Sequence, residues 1–251
     1  MVTSEEGRLI IPESARWKIL KGLHQSFHLG AESTYQMASR LFEGKNVMKT
    51  LKNIIKRCEV HQKHNPKTEN LAISGLQWSG KYSGEGWEID FTHMPKANWY
   101  SCLQVWLDTF TGWIEAFPCC SKQAKEVIKI LIHEIIPRLG LPRSLQSDNG
   151  SAFKAAVTQG VSKALEIEHH LHCSWRPQSS GKVEKSNDII KRHLRKLTQE
   201  TQNNGIKVLP IALMRAWTAP QKAGTVPLRM YLWKTFLMYR HCYRAWSLEI
   251  N

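Results

Sequence analysis

The chain has 251 residues, of which 42% are hydrophobic, and a formal net charge of +14 at neutral pH. That length holds one sizeable core and a smaller module, and the positive charge calls for an anionic partner, nucleic acid first. Six cysteines without a regular framework argue against a disulfide scaffold, and no signal-peptide pattern or run of about 18 apolar residues occurs, so a soluble, intracellular, basic protein is expected, with no membrane partner.

The amino-terminal part reads as a small helical module over residues 1–62. Leu9-Ile10-Ile11 is stopped by Pro12, after which Trp17, Ile19, Leu20 and Leu23 fall on one helical face. His24 and His28 stand four apart and so share a side of that helix. Two more helices are expected, at about Ser33–Phe42 and Val47–Arg57, followed by Cys58 and His61. A tetrahedral zinc site needs four ligands brought in as two close pairs, which these spacings supply, with His64 as a competitor for the last place. A pair of surface histidines on a basic helix explains the same residues without metal. Residues 63–86, rich in Lys, Asn, Ser, Gly and Gln, read as a linker. Trp78 within it is expected to pack on a domain.

From Trp87 the pattern changes to strands. Trp87–Thr92 alternates, Tyr100–Phe110 is almost continuously apolar, and Thr111-Gly112 turns into a third strand at Trp113–Phe117. Ala124, Val127, Ile128, Leu131, Ile135 and Leu139 then form a helical stripe, ended by Pro137 and Gly140. A strand at Leu145–Ser147, a helix at Ala152–Leu165, a strand at His169–Cys173 and a long helix from Gln178 to about Thr201 complete residues 87–205. Three strands followed by alternating helix and strand predict an α/β fold, a mixed sheet covered by helices. Residues 206–251 are expected to be a helical, divergent tail.

Three acids stand out against this frame. Asp90 lies in Ile89-Asp90-Phe91-Thr92, Asp148 in Ser147-Asp148-Asn149-Gly150, and Glu184 opens the long helix, with residues 149–183 between the last two. Singly they read as a strand acid, a turn and a first-turn carboxylate. Three carboxylates converging on one point repel, and divalent cations are what stabilise them. Hard oxygen ligands select Mg2+ or Mn2+, and two such ions clamp an in-line displacement at phosphorus.

These blocks, with Asp108-Thr109-Phe110-Thr111-Gly112-Trp113-Ile114-Glu115-Ala116-Phe117-Pro118 and Arg176-Pro177-Gln178-Ser179-Ser180-Gly181, resemble retroviral integrases of the gammaretroviral and endogenous branch, over roughly residues 8–230. The resemblance implies a ribonuclease H-like core in which Asp90, Asp148 and Glu184 are catalytic and hold two Mg2+ or Mn2+ ions, Asp90 bridging them. It implies a zinc domain whose ligands match His24, His28 and Cys58, with His61 where the family has a second cysteine. Lys182 replaces a glutamine of the branch and Ser151 a proline. The implied activity is DNA 3′-end processing and strand transfer by a nuclear homo-oligomer; the alternative is a domesticated relic that binds nucleic acid without turnover. The basic residues Lys182, Lys185, Arg192 and Lys196 are expected to grip DNA phosphates. Asp108 and Glu115 are assigned to the scaffold. Beyond Leu228 the resemblance breaks down, and the family's carboxyl-terminal barrel is not expected.

Overall fold

The computed structural model describes residues 3–4, 7–64, 79–171, 181–221 and 225–232. Trp78, Cys173, the expected helix start at Gln178 and the tail from Trp233 lie outside the described residues, as does the side chain of His64.

Four helices make the amino-terminal module: α1 (Glu13–Phe27), α2 (Ala31–Leu41), α3 (Val47–Lys56) and α4 (Glu59–His64). The short strands β1 (Leu9–Ile10) and β2 (Phe42–Glu43) pair in parallel and tie the segment before α1 to the end of α2. Val47, Leu51 and Ile54 on α3 recur at helical spacing and meet Leu20 and Ala38. So small an apolar cluster stabilises a module weakly, and domains of this size usually add a staple such as a metal.

The core is a five-stranded sheet, described here by β3 (Gly86–Ala97), β4 (Tyr100–Asp108), β5 (Ile114–Cys119), β6 (Ser144–Ser147) and β7 (Glu168–Leu171), in the order β5-β4-β3-β6-β7. The first three form an antiparallel meander, whereas β6 and β7 join in parallel. The unbroken apolar character of β4 follows from burial on both sides. Leu103, Val105 and Leu107 pack towards α9 (Gly181–Thr201) and α10 (Gly205–Thr218). Cys102 and Trp106 face the opposite layer with Trp87, Ile89 and Leu145. The third strand ends two residues later than expected, at Cys119.

On that opposite layer, α5 (Ala124–Ile130) runs through a π-helical turn at Leu131–Ile135 into α6 (Ile136–Leu139). Pro137 therefore does not end the helix. A proline lacks the amide donor and clashes with the carbonyl one turn back, and the widened turn just before it absorbs both defects. Gly140, at φ 91, is the actual stop. The helix expected at Ala152–Leu165 is two, α7 (Ser151–Lys154) and α8 (Ala156–Ala164), because Ala155 is extended at ψ 136. Residues 79–85, the described end of the expected linker, are pinned to the core: Ser79 Oγ donates to the Thr109 carbonyl at 2.6 Å, and Gly84 N to Asp108 Oδ1 at 3.2 Å. Among the described residues no helix is long and apolar enough to cross a membrane.

Candidate metal centres

Asp90 belongs to the central strand β3, and Asp148 follows β6. The parallel register sets Ile89 against Ser147, so both acids lie one step further on, Asp90 inside β3 and Asp148 just past the end of β6. Asp90 is half-buried. One oxygen accepts from its neighbour's amide, Phe91 N, at 2.7 Å, and the other from Asn187 Nδ2 on α9, also at 2.7 Å. Burial pushes its carboxyl above the usual range; the Asp148 charge adds to this, while the two hydrogen bonds oppose it. Asp148 is exposed and takes the Gly150 amide on Oδ1 at 2.9 Å. A Cβ on Gly150 would lie 2.9 Å from that oxygen, so the close approach needs a glycine. Glu184 is exposed in the first turn of α9, one turn before Asn187. The structure thus brings Asp90 and Asp148 within electrostatic reach and fastens α9 beside them. It does not draw the three carboxylates into one closed ligand set; among the described residues that is found only in the amino-terminal module. A half-buried carboxylate whose charge is disfavoured, beside a second one, fits Mg2+ or Mn2+, which supply the missing positive charge to hard oxygens.

In the amino-terminal module His24, His28, Cys58 and His61 place one ligand atom each within 4.8 Å of the others. His24 and His28 come from one side of α1, His28 capping it at φ 47, and Cys58 and His61 from the start of α4. His28 Nδ1 lies 3.6 Å from Cys58 Sγ. Neither ring nitrogen of His24 has a partner, nor has Nδ1 of His61, although all are buried. Burial holds His24 and His28 down to about 4 and His61 to about 3, with the Lys196 charge adding to the effect. The imidazoles are therefore neutral at pH 7 with lone pairs free for metal. Orphaned nitrogens, a thiol and a tight cluster are the chemistry of a zinc site, and His61 fits as the fourth donor in place of a second thiolate.

Residues 11–67 match the integrase zinc binding domain family, and residues 81–177 the integrase core domain family. The chain belongs to the integrase family. It is 39% identical over 228 residues to the Gag-Pol polyprotein of avian reticuloendotheliosis virus, covering 90% of this chain and 20% of that one. It is also 39% identical over 234 residues to the Pol polyprotein of radiation murine leukemia virus (strain Kaplan), covering 88% and 39%. The chain therefore spans less than half the length of either polyprotein. Among solved structures, the simian T-cell lymphotropic virus intasome aligns with TM-score 0.58 and 27% identity, over 84% of this chain and 74% of that one. The HTLV-2 integrase catalytic core domain in complex with magnesium, in its trimeric form, aligns with TM-score 0.52 and 28% identity, over 61% and 99%. The core is accordingly ribonuclease H-like, behind an integrase zinc domain.

The basic row of this integrase helix needs correction. Lys196 is 1% exposed, and its Nζ donates to the His28 carbonyl at 2.8 Å and lies 3.4 Å from His61 Nε2. Burial lowers its pKa to about 8. It is a packing residue of the zinc module and does not reach DNA. Lys182, Lys185, Arg192 and Lys196 line one cavity of about 690 Å3 between that module, the end of β4 and α9. At about 100° per residue this row faces away from Glu184 and Asn187. Lys191 and Arg195, seven and eleven residues after Glu184, share its face; Lys191 is half-buried and Arg195 exposed. Asp108 and Glu115 are buried scaffold: Asp108 takes Thr111 N at 3.1 Å, and Glu115 takes Trp113 Nε1 and Arg138 Nη2, each at 3.1 Å.

Two residues were not singled out from sequence. Asn187 carried a signal, since it lies one turn from Glu184 on the same face. His169 carried none: on β7 it approaches Ser147 Oγ and Gln159 Nε2 at 3.0 Å each, and Ser147 Oγ in turn donates to the Asp148 carbonyl at 3.1 Å. That chain of bonds braces the Asp148 loop from below.

Proposed function

We propose that the chain is a metal-dependent polynucleotidyl transferase that trims DNA 3′ ends and joins them to target DNA. The observation that carries this reading is the placing of Asp90, on β3, beside Asp148, which directly follows the neighbouring strand β6, with α9 fastened to Asp90 by Asn187. Asp90, Asp148 and Glu184 would hold two Mg2+ or Mn2+ ions, which supply charge for activating a water or a 3′-hydroxyl and for stabilising the leaving oxygen. Asp90 is kept in place by Asn187 and by the Phe91 amide, so its carboxylate arrives oriented. Asp148 is held by the Gly150 amide, and Glu184 projects from an exposed first turn able to close on the pair. Lys191 and Arg195 extend the same face and are the cations best placed to take phosphates; Lys185, exposed, adds one at the helix's flank. The reading extends to a homo-oligomer acting on DNA in the nucleus, in line with the intasome and the trimeric core among the similar structures.

The test is Mn2+-dependent strand transfer on a labelled viral-end oligonucleotide, with Glu184→Gln and Asp148→Asn as controls. Product from the native chain and none from either variant supports the reading. Absence of product from all three, with DNA binding intact, leaves a nucleic-acid-binding protein without turnover.

A further inference from the structure

We infer that Glu200, in the last turn of the catalytic helix α9, is the carboxylate that orients the zinc ligand His28, so that the helix carrying Glu184 is itself part of the zinc site. This rests on the zinc reading of His24, His28, Cys58 and His61. His28 Nε2 lies 2.8 Å from Glu200 Oε1, while its Nδ1 faces the Cys58 sulfur. With Nε2–H donating to the carboxylate, the tautomer is fixed and the Nδ1 lone pair is aimed at the metal, the arrangement by which a carboxylate makes an imidazole a stronger and better-placed ligand. Glu200 is in turn held by Arg215 on α10, whose Nη2 reaches Oε2 at 3.4 Å. Arg215 is 5% exposed, and its Nε and Nη1 have no partner, so Glu200 is the anion that justifies its burial.

One turn earlier on the same helix, Lys196 Nζ donates to the His28 carbonyl at 2.8 Å. Side chain and backbone of one zinc ligand are thus both gripped by α9. Charge gives the grip a further reason. One thiolate and three neutral imidazoles around Zn2+ leave the centre positive, where two thiolates would make it neutral, and Glu200 is the anion in contact with a ligand. Because coupling is reciprocal, whatever zinc gains from Glu200 the end of α9 gains from zinc.

The test uses the full chain. Zinc affinity is measured by competition with a chromophoric chelator for the native protein, Glu200→Ala, Glu200→Gln and a remote control, Glu126→Gln. Co2+ loading reports the ligand geometry by its visible spectrum, and amide exchange over residues 194–201 is followed with and without zinc. Glu200→Ala is expected to weaken zinc binding about 10–100-fold and to alter the Co2+ bands. Glu200→Gln, which keeps the acceptor and loses the charge, is expected to fall between it and the native chain. Zinc is expected to slow exchange over 194–201 in the native protein and not in Glu200→Ala. Equal affinities for native and Glu200→Ala, or zinc-independent exchange in the native helix, overturn the inference while leaving the zinc site standing. A native chain that binds no zinc overturns both together.

Discussion

Asp90 carries an unfavourable charge in the metal-free protein. Its folded pKa is raised by burial above the unfolded value, so the stability it contributes is present below that unfolded value and is lost as pH rises through the folded one. Above the unfolded value the buried carboxyl therefore costs stability, and a bound cation offsets that cost. Asp90→Asn is expected to raise the melting temperature of the metal-free chain at pH 7.5 and to abolish the stabilisation by Mn2+, which in the native chain grows with pH. Thermal unfolding with and without Mn2+ over a pH series measures both. The strand under Asp90 and the turn at Asp148 were legible in the sequence, from the alternation of Trp87–Thr92 and from Asn149-Gly150 after a short strand. Lys196 was not. Its spacing places it with Lys185 and Arg192, and only the docking of the zinc module on α9, for which the sequence holds no local signal, turns a solvated cation into a buried one.

Among the elements, the zinc module is the least self-sufficient. His24, His28 and His61 have folded values of about 4, 4 and 3, depressed below the ordinary 6.5. Such groups contribute stability that is fully present above the unfolded value and is lost as pH falls towards the folded ones. Removing zinc at pH 7.5 is expected to loosen the four short helices, and lowering the pH to 5 to melt them, with the sheet retained; far-UV circular dichroism before and after chelation follows this. A second joint is aromatic. Trp217 of α10 stacks on Trp113 with ring centroids 4.3 Å apart and donates Nε1–H to the Ile114 carbonyl at 2.6 Å. Trp217→Ala is expected to cost about 3 kcal/mol in urea unfolding. Alternation in β3 and the apolar run of β4 made those strands readable. The continuous α5–α6 rod was hidden, since Pro137 reads as a stop and only the π-helical turn reveals how it is tolerated. The break at Ala155 had no Gly or Pro to announce it.

At the scale of the molecule, the net charge of +14 describes affinity only once it is mapped onto faces. If Lys191 and Arg195 each neutralise one phosphate, replacing both by Ala lowers the slope of log affinity against log salt by about 1.8. Replacing Lys196 is expected to leave the slope unchanged while lowering the melting temperature. Fluorescence anisotropy over a salt series separates the two outcomes.

The mixed direction of the sheet also sets an order of assembly. The β3–β4–β5 meander closes through tight turns, so Asp90 is in its strand early. Asp148 reaches its place only when β6 crosses back in parallel, a pairing between residues distant in sequence that forms slowly. In that interval the hydrogen-bonding edge of β3 is bare, and a bare edge is a template for a neighbouring chain. The strand that completes the acid pair is thus the one that shields the newly made protein from aggregation.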